Sequence, residues 1–264
     1  MSDHSAYTNN STVRTFAVLE LLGRSGFPLS LTAIADASNL DKATVRRFLI
    51  TLTELGYVER IGSGEYRLTS RILELSTTYL RTVSLPHEAL PFLEAFCRET
   101  GTATSVAILD GTTAIYVAHM SVTEALSIGV RIGTRLPAHA TAAGKMLLAM
   151  LSPEDVASRY PDEILPTFTA YTTTRVTHLI GALQEIRRQG WALNEEEYET
   201  GVRAAACPLR SVDGKVMSVL NVSTRTDQID RLVFFSRILP SLLRTGDAIS
   251  HALSEKRGAR PESP

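Results

Sequence analysis

Residues 30–49 read SLTAIADASNLDKATVRRFL, and this stretch restricts the fold more than any other. Its spacing predicts two helices joined by a tight turn. In the second helix Val45, Phe48, Leu49, Leu52 and Leu55 recur at helical intervals, so one stripe packs inward. Lys42, Thr44, Arg46, Arg47 and Thr51 fall outside that stripe, open to a phosphate backbone and to base edges. Upstream, Val13, Phe16, Ala17, Leu19, Leu21 and Leu22 give a helix over 12–25, broken by Gly26-Phe27-Pro28, and Ser30 is a good cap for the next one. Downstream, Gly56 stops the motif's second helix, and runs at 57–61 and 65–68 flank Gly62-Ser63-Gly64, a hairpin signal. Three helices and a hairpin within the first 68 residues is the order of a winged helix-turn-helix, which lays its second motif helix in the major groove. The competing reading is a surface helix followed by an unrelated hairpin; the wing directly after the motif favours DNA binding. The residues marked for DNA are Lys42, Thr44, Arg46, Arg47, Thr51 and, from the wing, Arg60.

The chain has 264 residues, room for two domains, with 44% hydrophobic and 21% charged residues, ordinary for a globular protein. The longest apolar run, 146–151, is far short of the ~20 residues a membrane helix needs, and the polar start Met1-Ser2-Asp3-His4 holds no signal-peptide core. No membrane partner and a cytoplasmic location are expected. Cys97 and Cys207 form no framework; they allow one disulfide, with reduced core thiols favoured. Net charge is −1, and residues 1–82 carry nine Lys and Arg against eight Asp and Glu. DNA binding must therefore rest on a local patch of Lys42, Arg46 and Arg47, with Arg14, Arg60 and Arg67 as candidates to extend it. So weak a charge also points to a homodimer that doubles the contacts, pairing again into a homotetramer.

Residues 70–84 carry Ile72, Leu73, Leu75, Tyr79, Leu80 and Val83 in an amphipathic helix that ends before Pro86. It reads as a linker whose apolar stripe suits pairing between subunits, or as a helix packed on its own chain. Beyond it come a helix at 86–100, strands at 103–109 and 114–119 about the turn Asp110-Gly111, and a strand at 126–130. Helices follow at 141–150, 153–160 and 176–189. Strands at 192–194, 204–209 and 216–223, and a closing helix over 228–254, complete the pattern. Paired strands and blocked helices give an α+β fold: an N-terminal winged helix-turn-helix domain (1–69), a linker helix (70–85), a C-terminal GAF/PAS-like α/β domain with an antiparallel sheet (86–255), which the resemblance given below implies to be the effector-binding and oligomerisation domain, and a disordered tail (256–264).

One segment of the second half has chemistry of its own. At Pro137-Ala138-His139-Ala140-Thr141-Ala142-Ala143-Gly144 a helix begins, so its first N–H groups lack internal partners and its dipole favours an anion. Small side chains leave that backbone open, and a carboxylate is the expected ligand group. Tight packing on the sheet explains Gly144 equally well. Enzyme signatures such as Gly-x-Ser-x-Gly, His-Glu-x-x-His, a phosphate-binding loop or Cys-x-x-Cys are absent from the sequence. His119, His139 and Cys207 have no metal-ligand spacing, so neither metal nor cofactor is expected. The run Glu195–Glu199 reads as a solvated turn. A metal-dependent enzyme or a small-molecule-binding scaffold fused to a DNA-binding module is the alternative to a regulator.

The motifs on both sides resemble the IclR family of bacterial transcriptional regulators over nearly the whole chain. The residues concerned are Leu31-Thr32-Ala33-Ile34-Ala35, Lys42-Ala43-Thr44-Val45-Arg46-Arg47 and Leu52-Thr53-Glu54-Leu55-Gly56-Tyr57-Val58, then Gly133-Thr134-Arg135-Leu136-Pro137-Ala138-His139-Ala140-Thr141-Ala142-Ala143-Gly144-Lys145, Asn194-Glu195-Glu196-Glu197-Tyr198-Glu199, Gly201-Val202-Arg203 and Cys207-Pro208-Leu209-Arg210. Gly133–His139 and Leu220-Asn221-Val222-Ser223 are similar to the branch that controls aromatic-acid catabolism. The resemblance implies double-stranded operator DNA and a small carboxylate effector as partners. It also implies a pocket with Leu136, Ala142 and Ala143 on one side and Asn194, Val202, Ala204, Asn221 and Ser223 on the other. Asn194 stands where relatives commonly have an acid and Ala204 where some have cysteine or serine; both changes suit a bulkier aromatic acid. His139 can donate to the ligand or cap its own helix. Arg131, Arg135 and Arg203 can meet a carboxylate or form surface or interface ion pairs.

Overall fold

The computed structural model describes residues 8–62, 64–83, 85–121, 129–210 and 216–258. Contacts divide the chain into two units, Met1–Thr82 and Val83–Pro264. In the first, α1 (Asn10–Ser25), β1 (Leu29–Ser30), α2 (Leu31–Ser38) and α3 (Lys42–Glu54) lead to the hairpin β2 (Val58–Ile61) and β3 (Glu65–Leu68). The small sheet has the order β1-β3-β2. Each junction has a local cause. Ser30 Oγ accepts the Ala33 N–H at 3.2 Å and starts α2. Asn39, at φ 54°, ends it in the left-handed region. Asp41 then caps α3.

Val18, Leu22, Ile34, Ala35, Val45, Leu49, Leu52 and Val58 close the core of this unit. Two expectations need correcting. The buried stripe of α1 runs through Val18 and Leu22, four residues apart, so Val13 and Phe16 belong to the other face and are 53% and 58% exposed. Leu55 is also exposed, because α3 stops at Glu54 and Leu55 is already its cap. The helix expected at 70–84 is α4 (Ile72–Val83), with Leu73 and Leu75 exposed. The side chains of Tyr79, Leu80 and Val83 lie outside the described residues, as does Ser63 of the hairpin turn.

The second unit begins with α5 (Leu85–Thr100) and holds a six-stranded antiparallel sheet. Its strands are β4 (Ala103–Asp110), β5 (Thr113–Met120), β6 (Arg135–Pro137), β7 (Ala192–Glu195), β8 (Val202–Arg210) and β9 (Val216–Arg225), in the order β6-β5-β4-β9-β8-β7. Of the strand expected at 126–130, only Gly129 and Val130 are described, and they are irregular. On β8 successive residues point to opposite faces. Ala204 and Ala206 join the core beneath α6 (Ala142–Leu148) and α8 (Val176–Gln189), while Cys207 faces Gly246 of α10 (Leu239–Gly258). Helix α7 (Pro153–Arg159) packs beside α8, and α5 beside α10. The closing helix starts at Arg231 and carries a π-turn within it: α9 (Arg231–Val233) and the π-turn over Phe234–Ile238 run without a break into α10. Leu239 N–H reaches back to Phe234 O, next to Pro240, which has no N–H to offer the preceding turn.

Candidate functional site

On α3 the stripe Val45, Leu49 and Leu52 is buried, and Lys42, Arg46, Arg47 and Thr51 are exposed. Lys42 and Arg46, four residues apart, share one flank; Thr44, Arg47 and Thr51 share the other. The hydroxyls are already engaged within the helix. Thr44 Oγ1 donates to Asp41 Oδ2 at 2.7 Å, and Thr51 Oγ1 donates to Arg47 O at 3.2 Å. Arg60 on the wing is exposed, with its guanidinium near Gly64, whereas Arg67 is paired with Glu59 at 2.7 Å.

In the second unit a cavity of about 210 Å³ opens between the start of α6 and the sheet. The register of the sheet builds its floor. Asn194 of β7 faces Ala204 of β8, which faces Ser223 of β9, so the three form one cross-strand row; Ala206 and Asn221 form the next. Leu136, Ala142 and Val202 complete the part expected from the sequence. Tyr116, Gly129, Val130, Thr134, Thr141, Tyr198 and Glu199 also line it and were not foreseen. Tyr116 reaches the cavity because Val117 is the extra residue of a β-bulge: Val106 pairs with Ala118 but Ala107 pairs with Tyr116. Burial pushes the Tyr116 phenol well above the ordinary tyrosine range, so it stays a protonated donor.

His139 and Ala143, both named as effector residues, do not line the cavity. The helix does not start at Pro137. A 3-10 turn, Ala138–Ala140, comes first, and α6 begins after Thr141, whose hydroxyl accepts the Gly144 N–H at 3.1 Å. That turn carries His139 away from the cavity. Its Nε2 meets the Pro166 carbonyl at 2.9 Å, and its ring lies against Tyr160 and Phe168, so it caps nothing in its own helix. Since a carbonyl only accepts, Nε2 carries the proton. Ala143 is wholly buried in the core behind.

Asn194 lines the cavity with its amide already committed: Nδ2 donates to Ala140 O at 2.5 Å and Oδ1 accepts the Glu197 N–H at 3.3 Å. It thus ties the start of α6 to the turn bearing Tyr198 and Glu199, a link an aspartate could not make, having no proton for Ala140. The run Glu195–Glu199, expected to be solvated, is instead part of this wall. Glu197 forms a largely buried ion pair with Lys145 of α6, and its carbonyl accepts from Thr172 Oγ1 at 2.6 Å. Asn221 is 2% exposed; Nδ2 donates to Ser223 Oγ at 3.1 Å, and Oδ1 has no partner among the described residues. Among the described residues neither Arg nor Lys lines the cavity, and the one carboxylate that does, Glu199, faces Arg225 at 3.9 Å. Arg135 pairs with Asp110 at 2.5 Å and Arg203 with Glu195 at 2.9 Å, so both are ion-pair residues. Cys97 and Cys207 are free and buried, and burial pushes their thiols up to about 11 and about 12, leaving no thiolate at neutral pH. Among the described residues no three His, Cys, Asp or Glu side chains gather to hold a metal, and no helix is long and apolar enough to cross a membrane.

Residues 11–62 match the IclR helix-turn-helix domain, and residues 77–251 match the bacterial transcriptional regulator IclR C-terminal domain. The chain belongs to the IclR family. The Pca operon regulatory protein of Acinetobacter baylyi is 35% identical over 244 residues, covering 90% of this chain and 86% of that protein. The p-hydroxybenzoate hydroxylase transcriptional activator of the same organism is 30% identical over 238 residues, 88% of each. A crystal structure of an IclR homolog complexed with 4-hydroxybenzoate, from Microbacterium hydrocarbonoxydans, superposes with a TM-score of 0.81 at 25% identity, covering 92% of this chain and 99% of that one. This IclR-family protein is accordingly a DNA-binding transcriptional regulator and not an enzyme.

Proposed function

We propose that this IclR-family regulator controls a catabolic operon in response to a small aromatic carboxylic acid held in the cavity below α6. The observation that carries the reading is the cavity's make-up. Tyr116, Leu136, Val130 and Val202 supply apolar walls, and Asn221 Oδ1 supplies one buried acceptor with no partner among the described residues. An unpaired buried acceptor costs about 1–3 kcal/mol, which a ligand hydroxyl recovers. The ring hydroxyl donates to Asn221 Oδ1. The carboxylate is held by neutral donors, the Ala142 N–H at the start of α6 and the Tyr116 phenol. Leu136, Ala142, Asn194, Val202, Ala204, Asn221 and Ser223 are the effector residues in this reading. The relatives named for the Pca operon and for p-hydroxybenzoate hydroxylase, and the homolog carrying 4-hydroxybenzoate, support the same class of acid.

Lys42, Arg46, Arg47 and Arg60 meet operator DNA in the cytoplasm, with α3 in the major groove. Residues 1–69 bind DNA, 70–85 link, and 86–255 bind effector and oligomerise. Two subunits pair through the winged domain and α4, presenting recognition helices to half-sites about one turn, ~34 Å, apart, and dimers pair again through the sensor domains. The ligand acts through differential affinity for two arrangements of the protein, typically ~1–3 kcal/mol.

Calorimetry of the full chain against 4-hydroxybenzoate, protocatechuate, benzoate, pyruvate and glyoxylate tests the effector. Hydroxybenzoates are expected to bind, benzoate more weakly, and the keto acids not measurably. Ala204→Phe, which fills the floor, is expected to abolish the response while leaving ligand-free DNA binding within about twofold. Tight binding of short keto acids with no aromatic acid bound would reject the aromatic reading while leaving the regulator in place.

A further inference from the structure

We propose that Thr44 is a one-way reader of base identity: a hydroxyl that can only accept, selecting the exocyclic amine of adenine or cytosine in the major groove. The inference rests on the reading that α3 enters that groove, and it comes from where the threonine's single proton goes. Asp41, the cap of α3, uses both carboxylate oxygens on Thr44. Oδ1 accepts the backbone N–H at 2.8 Å and Oδ2 accepts the hydroxyl at 2.7 Å. An ionised carboxylate has no proton to give, so the direction of the second bond is fixed: Thr44 donates. The hydrogen bond from Thr44 in turn holds the Asp41 carboxyl below the usual range, so the arrangement persists through the neutral range. What Thr44 retains toward solvent is lone pairs and a methyl group.

That polarity decides what it can touch. Phosphate oxygens are acceptors and give an acceptor nothing. In the major groove guanine presents N7 and O6 and thymine presents O4, again acceptors; only adenine N6 and cytosine N4 offer a proton. The first-turn position of Thr44 is where a motif's second helix reaches base edges, and it shares a flank with Arg47, three residues on. The Asp41 charge beside it repels the phosphate backbone and favours an amine. The helix thus pairs an acceptor at its start with the donors Arg46 and Arg47, which suit guanine or phosphate.

The test uses the full-length protein and randomised duplex DNA. Wild type is first made to select its half-site; enrichment of no sequence would overturn the DNA-binding reading itself. Each base pair of the selected site is then varied against wild type, Thr44→Val, Thr44→Ser and Asp41→Asn. Thr44→Val keeps the backbone cap and is expected to lose discrimination at one base pair per half-site, by about fivefold, one ordinary hydrogen bond. Thr44→Ser is expected to retain that discrimination. In Asp41→Asn the amide can donate to the threonine oxygen and release its proton. The preference at the same pair should then move from adenine or cytosine toward guanine or thymine. A uniform loss across all sequences in Thr44→Val, an unchanged profile, or a wild-type preference for guanine or thymine at the pair that Thr44→Val affects would overturn the proposal.

Discussion

At the scale of single residues, several side chains are committed to the protein rather than to a ligand. Asn194 bridges Ala140 and Glu197, Thr44 gives its proton to Asp41, and His139 gives one to Pro166. His139 also makes stability depend on pH. Burial, the largest cause, holds its pKa below the ordinary imidazole value, and the same holds for His119. The unfolded chain therefore takes up protons as pH falls through about 6.5 before the folded chain does, so the unfolded state binds more protons there and stability drops on the acid side. Denaturant unfolding between about pH 7.5 and 5.5 is expected to show that decline. It should be shallower in His139→Leu, with His119 still contributing. An unchanged slope in the variant would remove His139 as a source.

At the scale of elements, the start of α6 decides the site. A methyl at Gly144 would lie 2.2 Å from Ala138 Cα and 2.4 Å from its carbonyl oxygen, backbone atoms that cannot swing aside. Packing of the 3-10 turn on α6 is thus the reason for this glycine, the second of the two explanations its sequence context allowed. Gly144→Ala is expected to cost about 1–3 kcal/mol or more, as overpacking does. It should also weaken effector binding, because Ala142, two residues before Gly144, opens the helix from which the 3-10 turn would be pushed away. Urea unfolding with parallel calorimetry measures both; full stability in the variant would show that the turn yields freely. The facing wall is held as firmly. Glu196, at φ 61°, turns the chain in the left-handed region, and the Lys145–Glu197 pair with Thr169 and Thr172 fixes the turn that carries Tyr198.

At the scale of the whole molecule, the first unit leaves apolar surface uncovered in a single chain. Val13 and Phe16 on α1, three residues apart, are 53% and 58% exposed, and Leu73 and Leu75 on α4 are 64% and 57% exposed. A second subunit is the expected cover. Light scattering at micromolar concentration should give a dimer or tetramer for the natural chain. The double substitution Val13→Asp, Phe16→Asp should shift it toward monomer and weaken operator binding by more than tenfold, since each half-site then binds alone. A natural chain that is monomeric and still binds operator tightly would contradict this arrangement.

The local patterns of the sequence determined the elements. Periodicity, caps and turn dipeptides place α3 and its buried stripe, the wing, the hairpin at Asp110-Gly111 and α8 close to where they lie, because each is governed by interactions within a few residues. The cavity was legible only through resemblance, and incompletely. Leu136, Ala142, Asn194, Val202, Ala204, Asn221 and Ser223 line it. Tertiary structure decided what spacing does not encode. A bulge at Val117 turned Tyr116 inward, cross-strand register set Asn194 beside Ala204 and Ser223, and the 3-10 turn before α6 took His139 out of the site. Register and bulges depend on pairing between residues up to a hundred or more positions apart, such as Ser105 and Asn221. Which proton goes to which partner depends on the distances that pairing creates.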